Sequence, residues 1–422
     1  MSSYIFVIVI LLIIAALYTT KSSAVIYLKN LLLPFVCITF ILLLIMFSNT
    51  AVESAAKGIV LWLNVVFPSL FPFFVASEIL SRTGFIKSLG ILLEPIMRPI
   101  FNVPGCGSFA LAMGITSGYP VGAKLTANMR EEGLLTKTES ERLLSFTNNS
   151  GPLFIIGAVS VGMFKNSEIG FVLLLCHILA CLTVGMLFRF YGNRRDSIRK
   201  IEDYRILKRF KKELFKSKSI NFGEVLGDSI RNSINTMLVI GGFITLFSVI
   251  INLLLDTGVI IVVSTHLSAI VSFIGIPKDI IAPVLSGFFE ITTGINMISK
   301  TNGISFIQQL AAASFILGWA GLSVHFQVYS IISKTDISIK PYLIGKLVQG
   351  IFAAIYVSIL MNIFVMTGSK SKSVFEYFIY NPDWTWFNYL VNSLINISVC
   401  AIIFILMLGL SLITKRCKRY IT

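Results

Sequence analysis

The sequence predicts an all-α, polytopic membrane protein built from two inverted repeats, each with a re-entrant hairpin and a broken transmembrane helix. Of its 422 residues, 55% are hydrophobic and only 13% are charged, and the mean hydropathy is +0.86. Soluble domains carry roughly 25% charged residues. Apolar runs long enough to cross a bilayer recur along the chain, and polar, helix-breaking stretches interrupt two of them, at 148–152 and 318–321. Because lipid offers no partner for free backbone groups, such breaks survive only inside protein or beside a watery cavity.

The positive charge of the chain is concentrated beside its apolar runs. The formal net charge is +15, yet twelve of the 35 basic residues lie between Arg189 and Lys218, and four more lie between Lys415 and Arg419. Lys and Arg in such loops set the orientation of a protein in the membrane. We therefore expect the lipid bilayer as a partner, and no nucleic acid.

The chain divides into five parts along its length. These are N-terminal transmembrane spans (1–57), a first repeat (58–188), a basic cytoplasmic loop (189–222), a second repeat (223–366), and a loop, last span and basic tail (367–422). The apolar runs place spans at 4–18, 31–47, 58–80, 169–188, 230–255, 342–366 and 388–413. Residues 130–142 are polar and charged, and we expect an exposed linker there.

Two short matches relate the halves of the chain. Ser117-Gly118-Tyr119 and Ser286-Gly287-Phe288 lie 169 positions apart, and Ser145-Phe146 and Ser314-Phe315 lie at the same offset. If the basic loop is cytoplasmic, the hairpin of the first repeat enters the membrane from inside and the hairpin of the second from outside. Inverted repeats of this kind are typical of secondary transporters.

The first hairpin tip and the first break supply candidate binding residues. Ser117 and Gly118 form the tip. Good helix N-caps stand in the break, where a half-helix would point free N–H groups and a partial positive charge at a cavity. Lys124 adds a full positive charge beside the tip, although it can equally well extend to the cytoplasmic interface. We expect a small anion as the ligand. The N-cap residues of the break are Asn148, Asn149 and Ser150.

The second repeat supplies further polar candidates. Glu290 lies in the second hairpin, where ionisable residues are rare and commonly functional. It can take up a proton, coordinate a coupling cation with its neighbours, or form an ion pair with Lys124. Two other polar residues follow the second break and are expected to line the same cavity. These neighbours of Glu290 are Thr292, Thr293 and Asn296, and the residues after the second break are His325 and Gln327.

Enzyme signatures are missing from the sequence. It contains no HExxH, GxSxG, Walker A or dinucleotide-binding motif. We therefore expect neither an enzyme nor a bound cofactor. With ATP excluded as the energy source, transport would be coupled to a proton or a sodium ion, or would be passive.

Three motifs resemble a known family. The runs SGYPVGAK (117–124), NNSGP (148–152) and SGFFE (286–290) resemble the sporulation integral membrane protein YlbJ (SpoVV) family, whose Gate or nucleoside-recognition domains also occur in concentrative nucleoside transporters. The resemblance extends over nearly the whole chain. The first hairpin departs from nucleoside transporters, because it has Pro-Val-Gly-Ala-Lys where they have a Gln-Thr-Glu type of tip. This departure speaks against nucleoside transport.

The resemblance implies a multi-pass protein of the outer forespore membrane, made in the mother cell of an endospore-forming bacterium. It implies a role in moving dipicolinic acid, a small aromatic dianion, toward the spore, and it suggests a homo-oligomer. Two alternatives stay open. One is a cation-coupled nucleoside transporter, and the other is a non-transporting membrane factor for spore cortex assembly that docks through the basic loop.

Overall fold

The computed structural model describes residues 23–82, 85–192, 222–271 and 276–366, and every regular element in these ranges is a helix. The predicted spans at 4–18 and 388–413 and most of the basic loop lie outside the described residues. The predicted all-α class is confirmed for the rest of the chain.

The first helices of the described chain are sharply bent. Helix α1 is followed by α2, a single π-helical turn continues into α3, and α4 follows. The segments Pro34–Met46 and Ser48–Asn64 meet at 99°. The predicted span at 58–80 is therefore made from the end of α2, the π-helical turn and most of α3. The bounds are α1 Ser23–Met46, α2 Ser48–Leu61, the first π-helix Trp62–Val66, α3 Phe67–Arg82 and α4 Phe85–Phe101.

The first repeat then follows the predicted order. Two short helices form a hairpin, a third helix leads to the break, a π-helix continues beyond it, and a long helix closes the unit. The bounds are α5 Gly107–Ser117, α6 Val121–Glu131, α7 Lys137–Thr147, the second π-helix Leu153–Met163 and α8 Ile169–Phe188.

The second repeat has the same order of elements after two preceding helices. Its hairpin turns at Glu290, and its break is a pair of left-handed residues, Ala320 (φ 74°) and Gly321 (φ 81°). The bounds are α9 Phe222–Asp256, α10 Val259–Val271, α11 Lys278–Phe289, α12 Ile291–Ser299, α13 Phe306–Trp319, α14 Gly321–Ile332 and α15 Ile339–Met366. The two halves of the described chain thus share one order of elements.

Four stretches of the described chain are long and apolar enough to cross a membrane. They are Ile169–Phe188, Phe222–Asp256, Phe306–Ile332 and Ile339–Ile363, and the bent pair formed by α1 and α2 is a fifth if it counts as one span. The protein is therefore an integral, multi-pass membrane protein.

Glycine lets the first hairpin lie directly against the first break. A Cβ atom on Gly114 or Gly122 would stand 1.8 or 2.1 Å from the carbonyl oxygen of Thr147, the last residue of α7. At the tip, Gly118 has φ 91°, and a Cβ atom there would lie 2.7 Å from the backbone nitrogen of Gly151. Only a glycine gives the backbones room for this approach. The hairpin tip and the break thus form one packed unit.

The second hairpin packs against the second break by the same means. A Cβ atom on Gly294 would come within 2.2 Å of Gly287, so the two arms of the hairpin touch through their backbones. A Cβ atom on Gly321 would lie 3.2 Å from the carbonyl oxygen of Phe289 at the hairpin turn. Each repeat therefore brings its hairpin tip to its own break.

The prediction of an exposed linker at 130–142 holds for residues 131–133, 136 and 137 and is wrong for 139–142, which are buried. Helix α7 begins at Lys137 with a capping box, in which the Thr136 side chain accepts from the Glu139 amide and the Glu139 carboxylate accepts from the Thr136 amide. Arg98 donates to Glu139 over 2.5 Å, and the buried Arg142 donates to the carbonyl oxygen of Asn102 over 3.0 Å. Because the charges of residues 139–142 are paired inside the protein, this part of the stretch is buried although its composition is polar.

A surface ion pair joins the two repeats. The guanidinium of Arg130, in α6, donates to both carboxylate oxygens of Asp336, between α14 and α15, over 2.8 and 2.9 Å. This bidentate contact holds the pKa of Asp336 below its usual value. Both residues are well exposed to water, so the pair orients the loop more than it stabilises the fold.

We expect Gly122→Ala to destabilise the protein by about 1–3 kcal/mol, because the new methyl group meets a backbone carbonyl that cannot move aside. The apparent melting temperature of the purified protein in detergent measures this change. Gly242→Ala is the matched control, since nothing lies within 4 Å of a Cβ at this helical position and alanine favours a helix. Equal melting temperatures for the two variants would contradict the packing described here.

Candidate functional site

A cavity of about 120 Å³ lies between the two hairpin tips, the first break and the start of α14. Residues of α2, the first π-helix, α3 and α9 complete its lining. Most of its wall is apolar. The lining residues at its centre are Ser117, Gly118 and Tyr119 of the first tip, Gly151 of the first break, Glu290 and Thr292 of the second tip, and Ser323 and Gln327 of α14.

Two polar atoms at the cavity wall lack a partner among the described residues. They are Ser117 Oγ and Gln327 Oε1, and both side chains are buried. Leaving a buried polar atom unpaired costs roughly 1–3 kcal/mol. A water, or a ligand with an N–H or O–H donor, would satisfy both atoms, since Ser117 Oγ can donate or accept and Gln327 Oε1 accepts. An apolar pocket with a few inward polar groups is the usual form of a small-molecule site.

The residues of the first break turn away from the cavity and are fully buried. Asn149 Nδ2 donates to the carbonyl oxygen of Phe146 over 2.8 Å, and the Ser150 amide donates to His177 Nε2 over 3.2 Å. Asn148 Nδ2 donates to the hydroxyl of Tyr342 over 3.0 Å. The prediction that these residues are N-caps is wrong, because the next helix begins at Leu153 without a side-chain cap. Their amides instead bond to the end of α7 and to neighbouring helices.

A lysine that the sequence analysis did not identify hydrogen-bonds to the backbone of the first break, outside the cavity. Lys346, in the middle of the apolar α15, is 0% exposed, and its Nζ donates to the carbonyl oxygen of Asn148 over 2.8 Å and to Gln349 Oε1 over 2.7 Å. Gln349 Nε2 in turn donates to Asn149 Oδ1 over 2.8 Å. The sequence did carry a signal for this role, since a lysine inside an apolar span is rare and commonly functional.

His325 belongs to the same buried network and not to the cavity. Its Nδ1 lies 3.2 Å from the Tyr342 hydroxyl, and its ring packs edge-on against Trp319 at 4.3 Å between centroids. The network therefore extends from His177 through Gln349 and Lys346 to the break, and from the break through Tyr342 to His325. It links α8, α14 and α15 around the break.

Glu290 caps a helix. Its carboxylate accepts from the amides of Thr292 and Thr293 over 2.9 and 2.8 Å and from both of their hydroxyls over 2.5 and 2.8 Å. The negative charge thus sits at the positive end of α12. The expected ion pair with Lys124 does not form, and Asn296 is exposed away from the carboxylate. The four protein donors occupy most of the oxygen surface that a coupling cation would need.

Lys124 lies outside the cavity. Its Nζ donates to Thr236 Oγ1 in α9 over 2.6 Å and sits 5.4 Å from the centre of the Phe74 ring. The expected meeting of this ammonium with the break is therefore wrong. The reason is the direction of α6, which leads away from the tip and carries Lys124, one turn along, toward α3 and α9.

Comparison with known proteins gives the family. The chain is 44% identical over 314 residues to "Sporulation integral membrane protein YlbJ" of Bacillus subtilis (strain 168), an alignment that covers 73% of this chain and 77% of the relative. The chain belongs to the YlbJ family. Residues 63–192 also match the family model Gate, described as nucleoside recognition.

Two solved structures are similar to the fold of this YlbJ-family protein at a low level. One is described as "Structure of CNTnw in an inward-facing substrate-bound state", with a TM-score of 0.39, 12% identity, and coverage of 75% of this chain and 84% of that chain. The other is a doubly substituted variant of CNTnw in an outward-facing state, with a TM-score of 0.36, 12% identity, and coverage of 76% of this chain and 85% of that chain.

The predicted site residues thus fall into two groups and two single residues. Those at the cavity wall are Ser117, Gly118, Glu290, Thr292 and Gln327. Those in the buried network behind the first break are Asn148, Asn149, Ser150 and His325. Thr293 supports the Glu290 carboxylate, and Lys124 lies apart from all of them.

We expect Glu290→Ala to lower stability by about 1–3 kcal/mol, because the two amides and two hydroxyls at the start of α12 lose their acceptor. Thermal unfolding in detergent measures the loss. Glu168→Ala is the control, since Glu168 also precedes a helix but its side chain caps nothing and is exposed. If Glu290→Ala kept full stability while changing the response of the protein to sodium or protons, the carboxylate would be an ion site and not a cap.

Proposed function

We propose that this protein is a secondary transporter that carries a small carboxylate anion, dipicolinic acid, across the outer forespore membrane of a sporulating bacterium. The observation that carries the proposal is the cavity between the two hairpin tips, the first break and the start of α14. A binding site enclosed by irregular backbone in the middle of membrane helices is typical of secondary transporters. The sporulation name of the relative supports the cellular setting.

The walls of the cavity suit a small aromatic acid. Leu70, Phe154 and Ile244 provide apolar surface for a ring. The second π-helix starts at the cavity with Leu153, so its positive end faces a bound carboxylate. The carboxylate of Glu290 is already compensated by four donors, which limits its repulsion of an anion. Lys346, whose ammonium form would attract an anion, lies just behind the break.

A nucleoside is the second candidate, and two observations favour it. None of the described residues that line the cavity is a Lys or Arg, and Gln327 and Ser117 offer the neutral polar contacts that a sugar or base needs. The Gate match points the same way. A docking factor for cortex assembly is the third candidate, but its basic loop lies mostly outside the described residues and gains no support from the fold.

Direct flux measurement separates these candidates. The purified full-length protein is reconstituted in proteoliposomes, and uptake of labelled dipicolinate and labelled uridine is followed, with protein-free liposomes as the blank and with sodium or proton gradients imposed. We expect dipicolinate uptake above the blank and no uridine uptake. Uridine uptake without dipicolinate uptake would make the protein a nucleoside carrier, and no uptake of either would favour the docking factor.

A variant ties the flux to the cavity. We expect Gln327→Leu to lower the initial rate of dipicolinate uptake about tenfold, which corresponds to the loss of roughly one buried hydrogen bond to the ligand, either donated by the side-chain N–H of Gln327 or carried through a water. Ser330→Ala is the matched control, because Ser330 lies one turn further along α14 and is exposed. An unchanged rate in Gln327→Leu would show that the substrate does not use this cavity.

A further inference from the structure

Lys346 is a buried cation that no buried anion among the described residues neutralises. Within the described chain its Nζ forms no ion pair, and its two hydrogen-bond partners, the carbonyl oxygen of Asn148 and Gln349 Oε1, are both neutral. A charge taken out of water is costly unless it is paired or strongly hydrogen-bonded. What stabilises it here is the negative end of α7, since Asn148 is the C-cap of that helix.

The donors and acceptors at Lys346 suit both protonation states. A neutral amine has two N–H groups and an ammonium has three. Two acceptors are present, so the neutral amine is fully satisfied and its lone pair is left to receive a proton. The ammonium leaves one N–H unused but gains the attraction of the helix end. Neither state requires the break to open, and a nearby charge can decide between them.

The described groups that face Lys346 from neighbouring helices add no carboxylate. Helix α8 contributes His177 and Cys181, α14 contributes His325, and α15 itself contributes Tyr342. Each of these side chains is buried or lies in the network described above. Helix α13, which packs along α15, carries no ionisable residue.

The charged residues of α7 are engaged elsewhere. Glu141 accepts from the hydroxyl of Tyr191 over 3.0 Å and from the Ser338 amide over 3.0 Å. Arg142 donates to the Tyr191 carbonyl oxygen over 2.7 Å. In the part of the chain that the structure describes, the surroundings of Lys346 therefore contain no permanent negative charge close enough to hold its proton. A negative charge can reach this part of the membrane as a ligand in the cavity, on the far side of residues 148–151.

We propose that Lys346 is the proton-binding residue that couples transport to the proton gradient, its ammonium form being stabilised by the anion bound in the neighbouring cavity. The proton adds to the amine lone pair when the anion binds, and it leaves to water when the anion leaves. In the low-dielectric interior the two charges attract each other through the thin backbone of the break. Lys346 is a positioning residue in this scheme, since it acts on the substrate through the break and does not touch it.

This proposal rests on the proposed function. It can be measured because the binding of the proton and the binding of the anion are thermodynamically linked. If a bound anion stabilises the proton on Lys346, the proton must stabilise the bound anion by the same free energy. The affinity for dipicolinate therefore falls as the pH rises. For one linked proton, the apparent Kd rises by up to about tenfold per pH unit.

The experiment measures equilibrium binding of labelled dipicolinate to the purified full-length protein from pH 6 to pH 9 at constant sodium. Four proteins are compared: the wild type, Lys346→Arg, Lys346→Met and the control Lys340→Met, which removes an exposed lysine from the same helix. We expect the Kd to rise with pH in the wild type and in Lys340→Met. Lys346→Arg should bind at least as tightly with a flat profile, because its charge is permanent. Lys346→Met should bind at least tenfold more weakly, also with a flat profile.

Gln349→Glu is a second kind of test, because it keeps the lysine. It places a carboxylate at the acceptor position, which lies 2.7 Å from Nζ in the wild type, so the amine stays protonated and the pH profile flattens. Because this variant also replaces the Nε2 donor to Asn149 Oδ1 with an oxygen, its apparent melting temperature in detergent is first compared with that of the wild type. In proteoliposomes, an inward proton gradient should raise dipicolinate uptake by the wild type several-fold and leave uptake by Gln349→Glu unchanged.

The outcomes separate the two proposals. Binding of dipicolinate with a flat wild-type profile overturns the role of Lys346 and leaves the transport function standing. If the Kd still rises with pH in Lys346→Arg, Lys346→Met and Gln349→Glu, the role of Lys346 is also overturned, since another group then carries the proton. No binding at any pH overturns the proposed function, and the role of Lys346 falls with it.

Discussion

The arrangement of hairpins and breaks in this protein depends on how the ends of the broken helices find hydrogen-bond partners away from water. A helix that stops inside a membrane leaves free carbonyl groups at one end and free amides at the other, and lipid satisfies neither. In this protein, charged side chains are the partners of two of these helix ends. Lys346 bonds to the C-terminal end of α7, and Glu290 accepts from the N-terminal end of α12. Each charge meets the helix end of opposite sign, so both an ammonium and a carboxylate are held without an ion pair between them.

Close backbone packing is the second consequence of this constraint. The break can be covered only if the hairpin tip approaches within van der Waals distance, and a glycine on at least one side of each contact makes that possible. Helix α15 reaches the break in the same way. A Cβ atom on Gly345 would lie 2.7 Å from the carbonyl oxygen of Ser145, and one on Gly350 would lie 2.8 Å from that of Phe315. The cavity is the space that remains on the one side where the tips and breaks cannot close against each other.

The sequence predicted the helices well because hydropathy and helix breakers are local properties. The span Ile169–Phe188 has the predicted bounds, and both breaks occur where small and polar residues interrupt apolar runs. The buried state of α7 was missed, since the ion pair between Arg98 and Glu139 joins residues 41 positions apart. The position of a residue along the chain says which turn it occupies, but tertiary contacts decide which partner it meets. Part of the site was therefore predictable, and the pairing of its charges was not.

Lys124 and Lys346 show that the burial of a lysine is a better guide to its role than its position beside a motif. Both lie in helices that pack within the membrane region, and the sequence pattern pointed to Lys124 because it follows the first hairpin tip. Lys124 is partly exposed and has a hydroxyl and an aromatic face as partners, which a mobile side chain finds easily. Lys346 is enclosed on all sides, and every contact it makes leads to the break or to a side chain that supports it. A group held in that way cannot change its charge without altering the energy of the break, which is the property that a coupling residue requires.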